Sequence, residues 1–148
     1  MIYIWDTNIL VHTLRKPDFF DTLNLRFDFT NPLNQILVSA VTVGEIHSIA
    51  LRNRWGKHRM HELKERLKTL RTVPVTDDDF LIQMYSEIDV YSQSHHPTLK
   101  LVGSARKMGK NDLWIAATAA ATQGTLISTD DDFTHLNGVF ISFDKIIV

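Results

Sequence analysis

The first eight residues, Met-Ile-Tyr-Ile-Trp-Asp-Thr-Asn, restrict the fold more than any other stretch. Ile2 to Trp5 form an unbroken apolar run, and most of these residues are strong strand formers. A run without polar alternation suits a strand covered on both faces, as in a parallel sheet. Asp6 ends the run, and Ile9, Leu10, His12 and Leu14 follow at helical spacing. A carboxylate at the carboxyl end of a parallel strand stands where open α/β sheets place their ligands. Asp6 is equally suited to cap the next helix. The choice between the two depends on what else the chain brings to that edge.

The rest of the chain repeats the alternation. Pro17 to Asn34 reads as a helix or irregular cover, with Phe19, Phe20, Leu23 and Phe27 on one face and a stop at Asn31-Pro32. Ile36 to Val38 is a second strand, and Ser39 and Thr42 offer caps for a helix through Glu45, Ile46 and Ile49 that ends near Trp55-Gly56. A basic helix spans Lys57 to Leu70 with Met60, Leu63, Leu67 and Leu70 as its apolar stripe. Val73-Pro74-Val75 is a short strand candidate, with proline pointing to an edge or a strand start. Thr76-Asp77-Asp78-Asp79 opens a helix with favourable negative charge. Lys100 to Lys110 reads as a basic loop. The alanine-rich segment Asp112 to Thr122 reads as a buried helix ended by Gly124. Thr125 to Ser128 and Val139 to Phe143 are the remaining strands. Strands alternating with helices imply an α/β fold with a mainly parallel sheet, here a single domain over residues 1–148.

Composition removes several classes. The chain has no cysteine, so it has neither disulfides nor thiolate metal sites, in keeping with a reducing compartment such as the cytoplasm. The longest uncharged stretch, Leu113 to Thr129, is interrupted by Thr, Gln and Gly, which argues against a membrane span. The net charge of −1 conceals a local excess: eight of the sixteen Lys and Arg lie between Arg52 and Arg71.

Three further acidic positions stand at element ends as Asp6 does. Glu45 lies in the first turn of the helix after the second strand, where Thr42-Val43-Gly44-Glu45 also reads as a capping box. Asp112 opens the alanine-rich helix, where it could be an N-cap. Asp130, Asp131 and Asp132 follow a strand directly, a place where acids are commonly solvated. In a parallel sheet all four positions lie at one carboxyl edge. Carboxylates crowded there repel one another, and a hard divalent cation relieves the repulsion. Mg²⁺ and Mn²⁺ prefer oxygen ligands and suit phosphodiester hydrolysis.

Asp6-Thr7-Asn8, Glu45, Asn111-Asp112-Leu113-Trp114-Ile115-Ala116 and Ser128-Thr129-Asp130-Asp131-Asp132-Phe133 resemble the PIN-domain signature in its VapC-like toxin branch, from Ile2 to about Phe143. The resemblance implies a three-layer α/β/α fold and a metal-dependent endoribonuclease, the toxin of a toxin–antitoxin pair. It further implies an antitoxin partner and a homodimer. Position by position, it makes Asp6, Glu45, Asp112 and Asp130 the core acids and metal ligands. Asp132 is a supporting ligand, while Thr7, Asn8, Asn111 and Ser128 lie in the polar surround. Two positions depart from the pattern. Trp5 is bulky for the residue before the first acid, and Asp131 adds a charge that leaves the order of Asp130 to Asp132 around a metal open.

Arg52, Arg54, Lys57, Arg59, Lys107 and Lys110 are candidate contacts for RNA phosphates, against the alternative of a solvated helix face. His58 and His61 have a spacing that could bind metal but no soft partner beside them, and no histidine is assigned a role. A phosphatase that forms an aspartyl-phosphate also begins with a strand ending in Asp. That chemistry needs a second acid two residues on, where this chain has Asn8. A PIN-like domain that only binds nucleic acid or protein is the other alternative, and the complete acid set weighs against it.

Overall fold

The computed structural model describes all 148 residues. Strands β1 (Ile2–Trp5), β2 (Gln35–Ser39), β3 (Arg71–Val73), β4 (Thr125–Ser128) and β5 (Ser142–Lys145) form one sheet of order β3-β2-β1-β4-β5. Every neighbouring pair is parallel. Helices α1 (Thr7–Arg15), α2 (Pro17–Phe27), α3 (Ala40–Arg52), α4 (Lys57–Lys68), α5 (Asp79–Ser92) and α6 (Lys110–Thr122) complete the fold. The mainly parallel α/β architecture expected from the alternation is the one observed.

The sheet is covered on both faces because its strands alternate two kinds of apolar residue. Ile4, Leu37 and Leu126 pack with Ile88, Tyr91, Leu113, Ile115 and Ala116 from α5 and α6. Tyr3, Trp5, Val38 and Ile127 pack on the other side with Ile9, Leu10, Leu23, Ile46 and Leu63 from α1 to α4. Trp5 is fully buried, edge-on to Phe20 and Phe29, so its unusual bulk fills an aromatic layer. Phe19, Leu23 and Phe27 are buried as well, which makes most of the apolar face of α2 core.

Several boundaries differ from the sequence reading. α3 stops at Arg52, short of Trp55, because Arg54 turns into the left-handed region at φ 51°. The third strand is Arg71–Val73, and Pro74 falls just beyond it, where its missing N–H costs no ladder bond. The last strand is Ser142–Lys145 rather than Val139–Phe143. The residues before it are taken by a 3-10 turn (Thr134–Leu136) and by a return in which the Gly138 N–H donates to the Ile141 carbonyl. Parallel pairing of Thr125 with Ser142 then sets the register of β5.

The order of the strands positions the site. The chain runs from β1 outward to β2 and β3, then returns to the opposite side of β1 as β4 and β5. The reversal falls between β1 and β4, and crevices that hold ligands open at such points, outside the carboxyl ends. Asp6 follows β1 there and Thr129-Asp130 follows β4.

Candidate active site

Asp6 is both a helix cap and a member of the site. It is the N-cap of α1, with Oδ1 accepting from the Thr7 amide at 2.8 Å. Its other oxygen accepts from the Ser128 hydroxyl at 2.7 Å. Ser128 Oγ in turn accepts from the Asp130 amide at 3.0 Å, so one buried serine ties the ends of β1 and β4 together. Asn8 donates from Nδ2 to Asp130 Oδ2 at 2.7 Å. That amide stands where an aspartyl-phosphate enzyme would place its second acid.

Thr7 reaches the second strand's helix. Its hydroxyl donates to Glu45 Oε1 at 2.7 Å and lies 3.3 Å from the fully buried Thr42 hydroxyl. Thr7 therefore orients Glu45 as well as supplying the amide that binds Asp6. The capping-box reading of Thr42 to Glu45 does not hold. Ser39 is the N-cap of α3, accepting from the Val41 amide, and Glu45 sits in the second turn, too far along to cap. Asp112 is likewise no cap. α6 starts at Lys110 behind Gly109, which leaves the Asp112 carboxylate free of backbone duty.

The charges of these side chains act on one another. Asp6 is pushed up to about 6, chiefly by burial, with the Asp130 and Glu45 charges adding to it; the Ser128 and Thr7 bonds pull the other way. Asp112 is pushed up to about 7, first by burial and then by the charges of Asp6, Asp132, Glu45 and Asp130. Five carboxylates, drawn from positions 6 to 132, thus act on one another. Asp131 is exposed, as Asp132 is, but it stands apart in accepting from Lys145 Nζ at 2.6 Å. Asp130 bonds to Asn8, Asp132 lines a cavity with Asp112, and Asp131 pairs with Lys145 of β5.

The donor set is entirely oxygen, which fits a hard divalent cation and not a soft one. No three acids or histidines are drawn together tightly enough to chelate an ion as they stand. The burial and, after it, the repulsion that disfavour charge on Asp6 and Asp112 are what such an ion would offset.

The basic candidates separate into two groups. Lys107 lines a cavity of about 330 Å³ with Arg106, Asp112 and Asp132, while Lys110 is exposed in the first turn of α6. Arg52 lines a groove that also holds Glu45 and Asn111. Arg54, Lys57 and Arg59 are exposed, and Arg59 places its guanidinium over Trp55 at 5.2 Å. His58 pairs with Glu62 at 3.0 Å rather than with His61.

Two residues that the sequence reading did not single out support the site from behind. Ser92 is fully buried at the end of α5, with Oγ 2.7 Å from His135 Nε2 and 3.3 Å from Met108 Sδ. Its carbonyl accepts from the Arg106 amide at 2.8 Å. One side chain thereby joins the loop entering α6 to the turn that follows Asp132. Burial and nearby Arg106 push His135 down to about 4, so it stays neutral in this contact. Nothing in the local sequence around Ser92 announces it.

Residues 3–139 match the model of the PIN domain. This chain belongs to the PIN domain family. Among curated proteins it is similar to Ribonuclease VapC5 of Mycobacterium tuberculosis (strain ATCC 25618 / H37Rv), 30% identical over 107 residues, which is 71% of each chain. Among solved structures it resembles VapBC2 from Rickettsia felis bound to a DNA fragment from its promoter, with a TM-score of 0.73 at 21% identity over 99% of both chains. VapBC-1 from nontypeable Haemophilus influenzae gives 0.74 at 18% identity over 98% of both. At those identities the structural likeness speaks for the fold, and this PIN domain shares it over nearly its whole length.

Proposed function

We propose that this PIN domain is a metal-dependent endoribonuclease that hydrolyses phosphodiester bonds in RNA, and that it is the toxin of a type II toxin–antitoxin pair. The observation that carries the reading is that Asp6, Glu45, Asp112 and Asp130 act on one another, with burial first and mutual repulsion second raising two of them. Similarity to a protein named Ribonuclease VapC5 supports RNA as the substrate. Likeness to VapBC complexes supports a cognate antitoxin and, through the family resemblance, a homodimer. No helix is long and apolar enough to cross a membrane. With the absence of cysteine, that suits work in the cytoplasm.

Asp6, Glu45, Asp112 and Asp130 would hold Mg²⁺ or Mn²⁺, with Asp132 in support. Such an ion, when bound, lowers the pKa of water and offsets charge on the attacking and leaving oxygens. The chain's own part is positional. Ser128 and the Thr7 amide fix both oxygens of Asp6, Thr7 aims Glu45, and Asn8 holds Asp130. The carboxylates work ionised, as ligands and as acceptors that orient the attacking water. No side-chain nucleophile is required. Lys107, Lys110 and Arg52 would meet phosphates beside the scissile bond, with Arg54, Lys57 and Arg59 offering a further cationic face.

The test is cleavage of a labelled RNA by the purified chain. Cleavage should depend on added Mn²⁺ or Mg²⁺, stop with chelator, and be lost in Asp6→Asn. Equal cleavage in chelator, or in Asp6→Asn, would overturn the reading.

A further inference from the structure

The cavity of about 330 Å³ beside Asp112 is walled by two strips of chain that belong to neither helix nor strand. One runs from Ser104 to Gly109 and leads into α6 and Asp112; the other is the turn that carries Asp132. In the first strip only Met108 is buried. No hydrogen bond passes directly between the two strips. Both are tied instead to Ser92, the last residue of α5. Its carbonyl accepts from the Arg106 amide at 2.8 Å. Its hydroxyl lies 3.3 Å from Met108 Sδ and 2.7 Å from Nε2 of His135, which follows Asp132 in the turn.

The hydrogens in this contact follow from its chemistry. A thioether sulfur only accepts, so the Ser92 hydroxyl donates to Met108 Sδ and its oxygen is left to accept from His135 Nε2. The other ring nitrogen agrees. Nδ1 is buried with no partner, and a hydrogen placed there would be a stranded donor. A directed chain therefore runs from His135 through Ser92 to Met108. Buried Tyr91 stacks on the His135 ring, with centroids 6.4 Å apart and planes within 5°, which holds the imidazole in the plane this donation needs. Ser92 is fully buried, so solvent does not compete for its hydroxyl.

We propose that His135, acting through Ser92, is a positioning residue that sets the spacing of Asp132 from Asp112 and with it the affinity of the acids for a divalent cation. The proposal rests on the metal-dependent reading above and adds to it the part of the fold that spaces two of the carboxylates. Acids carried by two irregular strips hold an ion tightly only if the strips are already in register, because ordering them on binding subtracts from affinity. Ser92 is the one polar junction through which the strips are kept in register.

The experiment titrates Mn²⁺ into the purified full chain without RNA and follows free Mn²⁺ by electron paramagnetic resonance. His135→Phe keeps a ring against Tyr91 but removes the donor, and Ser92→Ala removes the acceptor. Each should weaken Mn²⁺ binding by about 10-fold, the lower end of what partners behind metal ligands contribute. His135→Gln places an amide N–H near the position of Nε2 and should restore most of the affinity. The double change Ser92→Ala with His135→Phe should weaken binding no more than either single change, since both act on one contact. Phe27→Leu, in the core on the other face of the sheet, should lower the melting temperature and leave Mn²⁺ affinity unchanged. Wild-type affinity in both His135→Phe and Ser92→Ala would overturn the proposal. So would equal weakening by Phe27→Leu, which would make the effect one of general stability, or a wild-type chain that binds no Mn²⁺. A wild-type chain that binds Mn²⁺ with this dependence on His135 yet cleaves no RNA would sink the ribonuclease reading and leave the positioning role standing.

Discussion

The acid pocket and the basic helix α4 are opposite ways of gathering charge. In α4 the charges are neighbours in sequence: Lys57, Arg59, Lys64, Arg66 and Lys68 lie within a few turns, and apart from Arg66 all are exposed. Water screens them, and local partners such as Glu65 with Lys68 at 2.8 Å take up part of the charge. Surface pairs of that kind contribute little to stability. In the pocket the charges come from positions 6, 45, 112, 130 and 132, and the fold forces them together. Asp6 is only 5% exposed and Asp112 is half-buried, so neither is screened well. The contrast teaches that the energetic signature of a site follows tertiary enforcement and burial, not the density of charge along the chain.

The largest effect that would break this contrast is on catalysis. Asp6→Asn or Asp112→Asn should lower RNA cleavage by at least roughly 100-fold, the scale for losing one preorganised electrostatic group. In metal-free buffer the same variants should melt at the wild-type temperature or above, since each removes a repelled charge. A fall in melting temperature for both would show that the acids support the fold rather than strain it.

Next in size is the pH dependence of the metal-free protein. Asp6 near 6 and Asp112 near 7 both lie above their usual value of 3.8, so the folded state binds more protons than the unfolded state between about pH 4 and 7. Stability contributed by their protonated forms should be present at low pH and lost as pH rises through 6 and 7. Thermal denaturation at pH 5 and pH 8 should therefore show the higher melting temperature at pH 5. Millimolar Mn²⁺ should raise the pH 8 value by binding the folded state. Identical melting curves at both pH values would contradict the raised carboxylates.

The contrast can be sharpened between adjacent residues. Asp132→Asn should reduce cleavage by roughly 10- to 100-fold, the range for groups that orient metal ligands. Asp131→Asn, one residue away and paired with Lys145, should leave the cleavage rate within about twofold of wild type, with the loss of one exposed ion pair changing stability by less than about 1 kcal/mol. The smallest effect is reserved for α4. The double change Lys57→Ala with Arg59→Ala should alter stability by no more than about 0.5 kcal/mol per site. If either residue meets a phosphate, the salt slope of RNA affinity should fall by about 0.7 for each phosphate no longer neutralised.

Much of this molecule was legible from patterns of short range. β1, β2 and β4 are brief apolar runs, and the stripes of α4 and α6 show their helical period directly. Element ends were less legible, because they are decided by partners. β5 takes its register from β4, and the start of α6 at Lys110 depends on the extended backbone of Gly109. The four candidate acids could be picked out by their positions at element ends, and the charges of Asp6, Glu45 and Asp130 all act on Asp112. Ser92 and His135 were not legible at all, because a buried serine that joins two loops has no local pattern.

The sequence by itself determined the alternating α/β order, the sheet covered on both faces and the identity of the acids at the strand ends, since each follows from hydrophobic period and residue chemistry within a few positions. Only the tertiary structure decided that Glu45 bonds to Thr7 rather than capping α3, that Asp132 and not Asp131 joins the pocket, and that Arg52 shares a groove with an acid while the rest of the basic segment faces solvent. Those outcomes depend on distances between residues far apart in the chain. Such distances are set by how the parallel strands align and how deeply each carboxylate is buried, which no local pattern specifies.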